Sequence, residues 1–274
     1  MSEVVQVIRS EHEGVVEVRL NRPDKMNSLN TDMFTSLAAV GEELKKDPGL
    51  RAVVLSGEGR CFCAGLDMGN FSKMAEGGGA GVNGNGLEPR THGDSNLAQY
   101  VAMVWREVPV PVIAAVHGVC FGGGLQVALG ADMRYTTPDA QWAVLEVKWG
   151  LVPDMGGMVL LNELVRPDIA RELCYSGRVL NGSEAVELGL ATHLGDDPRA
   201  DALALARTIA GKNPDAIRAM KRMLNSAITP REEAARILLE ESREQDRIIG
   251  SPNQVEAVYA NLEKRAPKFA DPEV

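Results

Sequence analysis

The sequence predicts an α/β fold, because short apolar strands alternate with amphipathic helical stretches before a purely helical end. Val15–Leu20 alternates apolar and polar residues, which is typical of a strand with one buried face. Residues 52–55 and Val112–Val116 are continuously apolar, which indicates strands that are buried on both faces. The strand pattern ends near residue 200. We therefore expect a core over residues 1–200 and a helical region over residues 201–274.

The first helix and the remaining short strands can be placed from local signals. Asn30 or Thr31 can cap a helix that ends at residues 47–49, because polar residues cap helices and a Pro-Gly sequence stops them. The predicted apolar face of this helix consists of Met33, Leu37, Val40 and Leu44. Apolar runs at residues 133–135 and 190–194 predict two further strands.

Four helical patterns occupy most of residues 201–274. They cover residues 202–210, 215–227, 232–249 and 255–265. Pro214 and Pro230 stand near predicted N-termini, where proline is tolerated because the first N–H groups of a helix have no partner within it. Ala234 and Leu238 begin an apolar stripe on this charge-rich end of the chain. We expect the stripe to pack on the core or on another subunit.

Composition and charge limit the class of protein. The chain has 274 residues, of which 45% are hydrophobic and 24% are charged, as in ordinary globular proteins. The formal net charge of −9 argues against nucleic acid or an anionic membrane as the main partner. No apolar run reaches the ~18 residues of a membrane span, and Met1-Ser2-Glu3 lacks the basic start of a signal peptide. We therefore expect a cytoplasmic protein.

The cysteines do not predict a metal site. Cys61 and Cys63 form a Cys-x-Cys pair, but Cys120 and Cys174 are far apart and supply no second pair at zinc-ligand spacing. Free cysteine behaves as a small hydrophobic residue. We therefore expect these residues to pack beside a tight turn, without a bound metal.

Two glycine turns are the candidate chemical elements. The triplet at residues 122–124 follows the predicted strand Val112–Val116 and opens a helix predicted over residues 125–131. The sequence Ala-Gly-Leu-Asp at residues 64–67 follows the strand predicted at residues 52–55. Either sequence alone is more often a plain turn, and the triplet matches neither a dinucleotide-binding fingerprint nor a P-loop. A glycine turn that opens a helix can nevertheless present unpaired N–H groups to a ligand.

Several motifs in a common order make this sequence resemble the enoyl-CoA hydratase/isomerase family, also called the crotonase family. The motifs are Leu20-Asn21-Arg22-Pro23, Asn27-Ser28-Leu29, Phe62-Cys63-Ala64-Gly65-Leu66-Asp67, Pro111-Val112-Ile113-Ala114-Ala115-Val116-His117-Gly118, Gly122-Gly123-Gly124, Ala140-Gln141-Trp142 through to Gly156-Gly157, and Glu263-Lys264-Arg265 with Phe269. The resemblance covers nearly the whole chain. It implies a crotonase-like spiral of β-β-α units with a C-terminal helical trimerisation region, assembled as a homotrimer or a dimer of trimers.

The resemblance also implies a substrate and its binding residues. The substrate would be an acyl-CoA thioester, with CoA as part of the substrate and no other cofactor. The backbone amides of Ala64 and Gly123 would bind the thioester oxygen, because two preplaced donors stabilise the charge of an enolate. The implied substrate-binding residues are Ala64, Gly65, Leu66, Asp67, Gly123, Gln126 and Lys264. Lys264 would lie near a CoA phosphate, although on the residues alone a lysine at such a position is more often a solvated helix lysine.

Three positions bear on the reaction. Family hydratases use two glutamates. The second corresponds to Glu146, whereas Gln126 stands in place of the first. A glutamine cannot exchange a proton near neutral pH. Family enoyl-CoA isomerases use one carboxylate at the Glu146 position, and dienoyl-CoA isomerases also match at Asp154. On the residues alone, Glu146 can instead be a salt-bridged surface residue, and Asp154 can be a turn residue after Pro153.

We therefore favour an enzyme that moves a double bond in an unsaturated fatty acyl-CoA by proton transfer. The expected catalytic residues are Glu146, Asp154, Ala64 and Gly123. Hydration of a 2-enoyl-CoA is the first alternative, with Glu146 and Asp154 holding a water molecule. The second alternative is a non-catalytic acyl-CoA-binding protein that keeps the two amides. The glycine-rich segment at residues 77–86 can be a solvated linker or a lid over the site.

Overall fold

The computed structural model describes residues 4–10, 14–75 and 86–271 and confirms the α/β fold class. The strands in these ranges are β1 (Val5–Arg9), β2 (Val15–Leu20), β3 (Ala52–Gly57), β4 (Val112–Val116), β5 (Val119–Phe121), β6 (Met133–Thr136), β7 (Gln141–Ala143), β8 (Leu180–Asn181) and β9 (His193–Leu194). The α-helices in these ranges are α1 (Thr31–Lys45), α2 (Met68–Ala75), α3 (Leu97–Glu107), α4 (Gly123–Leu129), α5 (Gly157–Leu164), α6 (Pro167–Ser176), α7 (Gly182–Glu187), α8 (Pro198–Ala210), α9 (Pro214–Ile228), α10 (Arg231–Ile248) and α11 (Pro252–Leu262). Short 3-10 helices cover Pro23–Lys25 and Glu146–Trp149.

The central sheet has the strand order β1-β2-β3-β4-β6-β9. β1 runs antiparallel to β2, whereas the other neighbouring strands are parallel. All residues of β3 and β4 are buried, which accounts for their continuously apolar sequences. β9 is shorter than the strand predicted at residues 190–194, because it pairs only with Tyr135 and Thr136. Leu190 lies before β9 and packs into the hydrophobic core.

A second sheet of three short strands, β5-β7-β8, was not predicted, because runs of two or three residues carry no clear periodicity. β5 pairs in parallel with β7, and Phe121 lies opposite Ala143. The amide of Gly122 donates to the carbonyl of Ala143 at 3.0 Å, which continues the pairing by one residue. The chain segments that follow β5 and β7 therefore leave this sheet side by side.

The observed helix starts refine two predictions. Asn30 caps α1 as expected, since its side chain accepts a hydrogen bond from the amide of Met33 at 3.0 Å. α4 begins at Gly123, two residues before the predicted start at residue 125. The start of α4 packs closely against the chain near Cys63, and glycine makes this possible because it has no side chain. A Cβ atom on Gly124 would lie 2.6 Å from the carbonyl oxygen of Cys63.

The four predicted C-terminal helices are confirmed as α8, α9, α10 and α11. α8 buries Ala202 and Ala206 in a cluster with β-strand residues such as Val54 and Ile113. α10 packs against α5, and α11 packs against α2 and against the 3-10 helix Glu146–Trp149. The helical end of the chain therefore covers the region that contains the candidate site. The boundary between residues 200 and 201 stays a prediction.

Two expectations of the sequence stay predictions. The glycine-rich segment at residues 77–86 lies outside the described residues except for Gly86, so neither the linker nor the lid is tested. Among the residues that the structure describes, no helix is both long enough and apolar enough to cross a membrane. The cytoplasmic location is not tested by that finding.

Candidate active site

A cavity of about 420 Å³ lies between the two glycine turns and the helices α2 and α10. Most of its lining is apolar and includes Phe34, Leu66, Phe71, Trp149, Leu151 and Ile249. Phe71 and Trp149 stack with their ring centroids 4.2 Å apart and form part of one wall. No lysine, arginine or histidine lines the cavity within the described part of the chain. The cavity therefore favours an uncharged, apolar ligand group.

Most of the predicted site residues border this one cavity. They are Ala64, Gly65, Leu66, Gly123, Gln126, Glu146 and Asp154. Asp67 does not line it; its carboxylate accepts hydrogen bonds from Arg22 at 3.1 Å and from Ser28 at 3.0 Å. Lys264 is exposed beyond the end of α11 and does not line the cavity either. The roles of Asp67 and Lys264 in CoA binding stay predictions.

The structure corrects the expected role of the Ala64 amide. This N–H donates to the carbonyl oxygen of Met26 at 3.0 Å, so it is not free to bind a ligand. Leu29 donates to Gly65 at 2.8 Å and accepts from Asp67 at 3.1 Å, which holds the turn against the chain before α1. The amide of Leu66, between these two bonds, has no acceptor among the described residues. Leu66, rather than Ala64, therefore supplies the available donor.

The second available donor belongs to the glycine triplet. Gly122 has a φ of 51°, a left-handed conformation that glycine adopts without strain, and the chain turns there into α4. The amide of Gly123 has no acceptor among the residues described. A Cβ atom on Gly65 would lie 3.6 Å from the nitrogen of Gly123, so the two turns are in contact. Leu66 and Gly123 thus present two neighbouring amides at one cavity.

Glu146 is a buried carboxylate with one oxygen satisfied. Its side chain is 8% exposed, and Oε1 accepts a hydrogen bond from Nε2 of Gln126 at 2.6 Å. Oε2 is buried and has no hydrogen-bond partner within the described ranges. Burial raises the pKa of Glu146 to about 6, against an ordinary value of 4.5. At neutral pH this group is mostly ionised, and Oε2 can accept a proton.

Asp154 lies on the loop between the 3-10 helix and α5, and it borders the same cavity. The residue as a whole is partly buried, and its carboxyl group is surrounded by protein. Burial raises the pKa of Asp154 well above its usual range, and the charges of Glu241 and Glu146 raise it further. Asp154 therefore holds a proton to higher pH than an ordinary aspartate, which suits it to donate one.

Glu241 on α10 contributes to the site from a part of the sequence that motif analysis did not connect with it. Its carboxylate accepts hydrogen bonds from the amides of Gly156 at 3.0 Å and Met158 at 2.9 Å. Burial raises the pKa of Glu241 to about 7. One sequence signal existed, because Glu241 follows Leu238 by three residues and lies on the buried face of the same helix. The motifs gave no reason to place that face beside α5.

The described residues also contain no group of three His, Cys, Asp or Glu side chains that could hold a metal ion. The cavity is bordered by two amides without acceptors among the described residues, by Glu146, which is ionisable and has one oxygen without a partner, and by Asp154, a second carboxyl group with a raised pKa. These groups can stabilise an enolate and move a proton.

Known proteins are similar to this chain over almost its whole length. A family sequence model described as enoyl-CoA hydratase/isomerase matches residues 10–272. The peroxisomal Delta(3,5)-Delta(2,4)-dienoyl-CoA isomerase of Arabidopsis thaliana is 30% identical over 97% of this chain and 96% of its own length. The mitochondrial methylglutaconyl-CoA hydratase of Homo sapiens is also 30% identical, over 97% of this chain and 76% of its own length. The enoyl-CoA hydratase/isomerase structure from Pseudoalteromonas atlantica T6c superposes on this chain with a TM-score of 0.83 at 28% identity, and the match covers 97% of this chain and 100% of that one. This superposition confirms the crotonase-type fold.

The raised pKa of Glu146 predicts a specific dependence of stability on pH. Between about pH 4.5 and 6 the folded protein holds this proton more tightly than the unfolded chain, so the free energy of unfolding falls as pH rises through this window. Glu146→Gln cannot titrate and avoids the loss. From pH 4.5 to 7 we expect the free energy of unfolding of the variant, measured in urea, to rise by roughly 1.5 kcal/mol relative to that of the parent, since each pKa unit corresponds to about 1.4 kcal/mol and part of the loss already lies below pH 4.5. A difference between the two proteins that is the same at both pH values would contradict the assignment.

Proposed function

The chain belongs to the enoyl-CoA hydratase/isomerase family, and from this premise we propose that it moves a double bond in an unsaturated fatty acyl-CoA by proton transfer. One observation carries the proposal. Glu146 and Asp154 border the same cavity, whereas the third position, Gln126, holds an amide that cannot exchange a proton near neutral pH. Two protein carboxyl groups that border the same bound acyl chain are suited to removing a proton from one of its carbons and returning a proton to another.

The first step is removal of a proton from the carbon next to the thioester. Oε2 of Glu146 takes the proton, the C–H electron pair moves toward the carbonyl, and negative charge develops on the thioester oxygen. The amides of Leu66 and Gly123 would bind that oxygen, since both lie at the cavity without another acceptor among the described residues. Such preplaced donors stabilise the charge because they do not need to reorganise during the reaction.

The second step returns a proton further along the acyl chain. The conjugated enolate carries charge on its distant carbon as well as on the oxygen, so protonation there leaves the double bond in its new position. Asp154, whose pKa is raised well above its usual range, can supply this proton; the starting state is restored when Glu146 loses the proton it took and Asp154 regains one, by exchange between the two groups or with water. Glu146 can alternatively carry the same proton to the second carbon by itself.

Hydration of a 2-enoyl-CoA is the competing reaction. Glu146 and Asp154 could hold a water molecule together, but the position that supplies the second glutamate of the family hydratases is Gln126. The loss of a general acid/base group typically costs about 10²–10⁴-fold in rate. The relatives do not decide between the reactions, because a dienoyl-CoA isomerase and a hydratase are similar to this chain at the same 30% identity. The preference for isomerisation therefore rests on Gln126 and Asp154.

The electrostatics of the cavity favour an acyl chain without a charged end. Its lining includes the carboxyl groups of Glu146 and Asp154 and no basic side chain among the described residues. A carboxylate on the acyl chain would meet the ionised Glu146 in a poorly solvated space and would bind weakly. The proposed substrates are therefore neutral fatty acyl thioesters.

An exposed apolar face on α9 supports self-association of the chain. Met220, Met223, Leu224 and Ile228 follow one another at helical spacing, and about half or more of each residue is exposed (49%, 68%, 64% and 53%). A contiguous apolar strip on a charged helix is typical of a protein–protein contact. We propose that a second copy of this chain covers the strip within a trimer or a dimer of trimers.

Three thioesters distinguish the candidate reactions. Purified protein is given a 3-enoyl-CoA, a 3,5-dienoyl-CoA and a 2-enoyl-CoA separately, and the products are identified by mass spectrometry and ultraviolet absorbance. We expect isomerisation of at least one of the first two substrates and little hydration of the third. Hydration of the 2-enoyl-CoA without either isomerisation would contradict the proposal, and no turnover of any substrate would favour a binding protein.

A matched substrate tests the acyl class in the same assay. The preferred substrate is compared with an analogue of equal length that ends in a carboxylate. Because that group would meet acidic neighbours without a cation, we expect kcat/KM to fall by at least about tenfold, which corresponds to about 1.4 kcal/mol. Equal turnover of the two thioesters would show that a cation from elsewhere reaches the cavity.

The donor assignment can be tested by replacing single backbone N–H groups. Incorporating the α-hydroxy analogue of leucine at Leu66 substitutes an ester oxygen for the proposed donor. We expect kcat to fall by roughly 10²–10³-fold, as for removal of one oxyanion donor. The matched control is the corresponding ester at Ala64, whose amide binds Met26 instead. A larger loss of kcat at Ala64 than at Leu66 would contradict the correction.

Subunit contact through α9 can be tested with a charge. Met223→Glu places a carboxylate in the centre of the apolar strip, and burying it against another copy would cost several kcal/mol. We expect sedimentation to show a smaller assembly for this variant. Tyr175→Glu, at a residue that is 76% exposed on α6, is the control and should leave the assembly intact. An unchanged mass for Met223→Glu would place the contact elsewhere.

A further inference from the structure

Four consecutive backbone amides at the start of α5 are held by two side chains from other helices. Oε1 of Gln126 accepts hydrogen bonds from Met155 at 2.8 Å and Gly157 at 2.9 Å. The carboxylate of Glu241 accepts hydrogen bonds from the second and fourth of these amides, those of Gly156 and Met158. The turn that directly follows Asp154 is therefore fixed from two sides, and these bonds satisfy amides that a helix start otherwise leaves unpaired.

These bonds determine the orientation of the Gln126 amide. Its oxygen already accepts two N–H groups, so its nitrogen must point the other way, where it donates to Oε1 of Glu146 at 2.6 Å. Gln126 is only 2% exposed, so water cannot readily replace a lost partner. One side chain thus joins the carboxylate of Glu146 to the turn that carries Asp154.

We propose that Gln126 is a positioning residue, which fixes the separation of Glu146 and Asp154 along the acyl chain and directs the returned proton to the distant carbon. This inference rests on the proposed function, because it assigns the two carboxyl groups to successive proton transfers. Gln126 itself neither gives nor takes a proton. Its single donated bond occupies Oε1 of Glu146, so that Oε2, which has no partner among the described residues, is left to take the proton.

The chemistry at this position requires an amide. A glutamate could still accept from the amides of Met155 and Gly157, but it has no N–H to offer Glu146. Two carboxylates would then face each other at hydrogen-bond distance, and they would have to share a proton. A shared proton would favour the protonated form of Glu146. The hydrogen bond from Gln126 has the opposite effect, since it lowers the pKa of Glu146, although burial raises it. Glutamine therefore keeps Glu146 ionised and in place.

The test compares two rates on one substrate. Incubating the isomerisable thioester in D₂O measures exchange of the proton next to the thioester, which requires Glu146 but not Asp154. The same incubation measures isomerisation, which requires both groups when Asp154 returns the proton, as this inference assumes. Gln126→Met keeps the approximate size and removes all three hydrogen bonds. We expect the ratio of isomerisation to exchange to fall by roughly 10–100-fold, because displacement of a reacting group by about 1 Å has costs of this size.

The control is another buried glutamine outside the site. Gln254 is 0% exposed on α11, and its side chain accepts a hydrogen bond from Gly250 at 3.0 Å. Gln254→Met should lower the melting temperature while leaving the ratio of the two rates at the parental value. If Gln126→Met lowers both rates in proportion, with an unchanged ratio, Gln126 is merely structural and the inference is overturned.

A second variant covers the case in which Gln126→Met does not fold. Gln126→Glu retains the acceptor for Met155 and Gly157, and the shared proton should move the acidic limb of the exchange rate to higher pH. A profile that superposes on that of the parent would overturn the inference. Failure of the proposed function has a different signature, because the unaltered protein would then show neither exchange nor isomerisation with any thioester, or only hydration.

Discussion

The hydrogen bond from Gln126 to Glu146 is the interaction on which the rest of the site depends. A carboxylate buried without a donor would be strongly disfavoured, and this bond satisfies one oxygen while leaving the other free. The bond is possible because β5 and β7 pair in parallel immediately before the two residues, with Phe121 opposite Ala143. A sheet of very short strands thus brings α4, which carries Gln126, and the 3-10 helix that begins at Glu146 to the same cavity.

The C-terminal helices complete this arrangement. α10 supplies Glu241, which holds the turn after Asp154 and also contributes to the charge that favours the protonated form of that carboxyl group. α11 packs against α2 and the 3-10 helix that begins at Glu146. These contacts explain why a chain end that reads as a helical appendage is coupled to the site. Loosening α10 would change the local structure and the proton affinity together.

Much of the fold could be predicted from periodicity, whereas part of the site could not. β2, β4 and the cap of α1 follow from local sequence, and the order of the motifs brought Glu146, Asp154 and both glycine turns into one site. The choice of Ala64 as donor was wrong, because the availability of an amide depends on a distant partner, here the carbonyl of Met26. Glu241 was missed for a related reason, since its role arises only when α10 packs on α5.

The central claim is that Leu66 and Gly123 hold the thioester oxygen while Glu146 faces the adjacent carbon. A crystal structure with a saturated acyl-CoA, which binds but has no double bond to move, tests this most directly. We expect the thioester oxygen at about 3 Å from both amide nitrogens, with the adjacent carbon beside Oε2 of Glu146. A thioester oxygen bound away from these amides, or an acyl chain that bypasses Glu146, would contradict it.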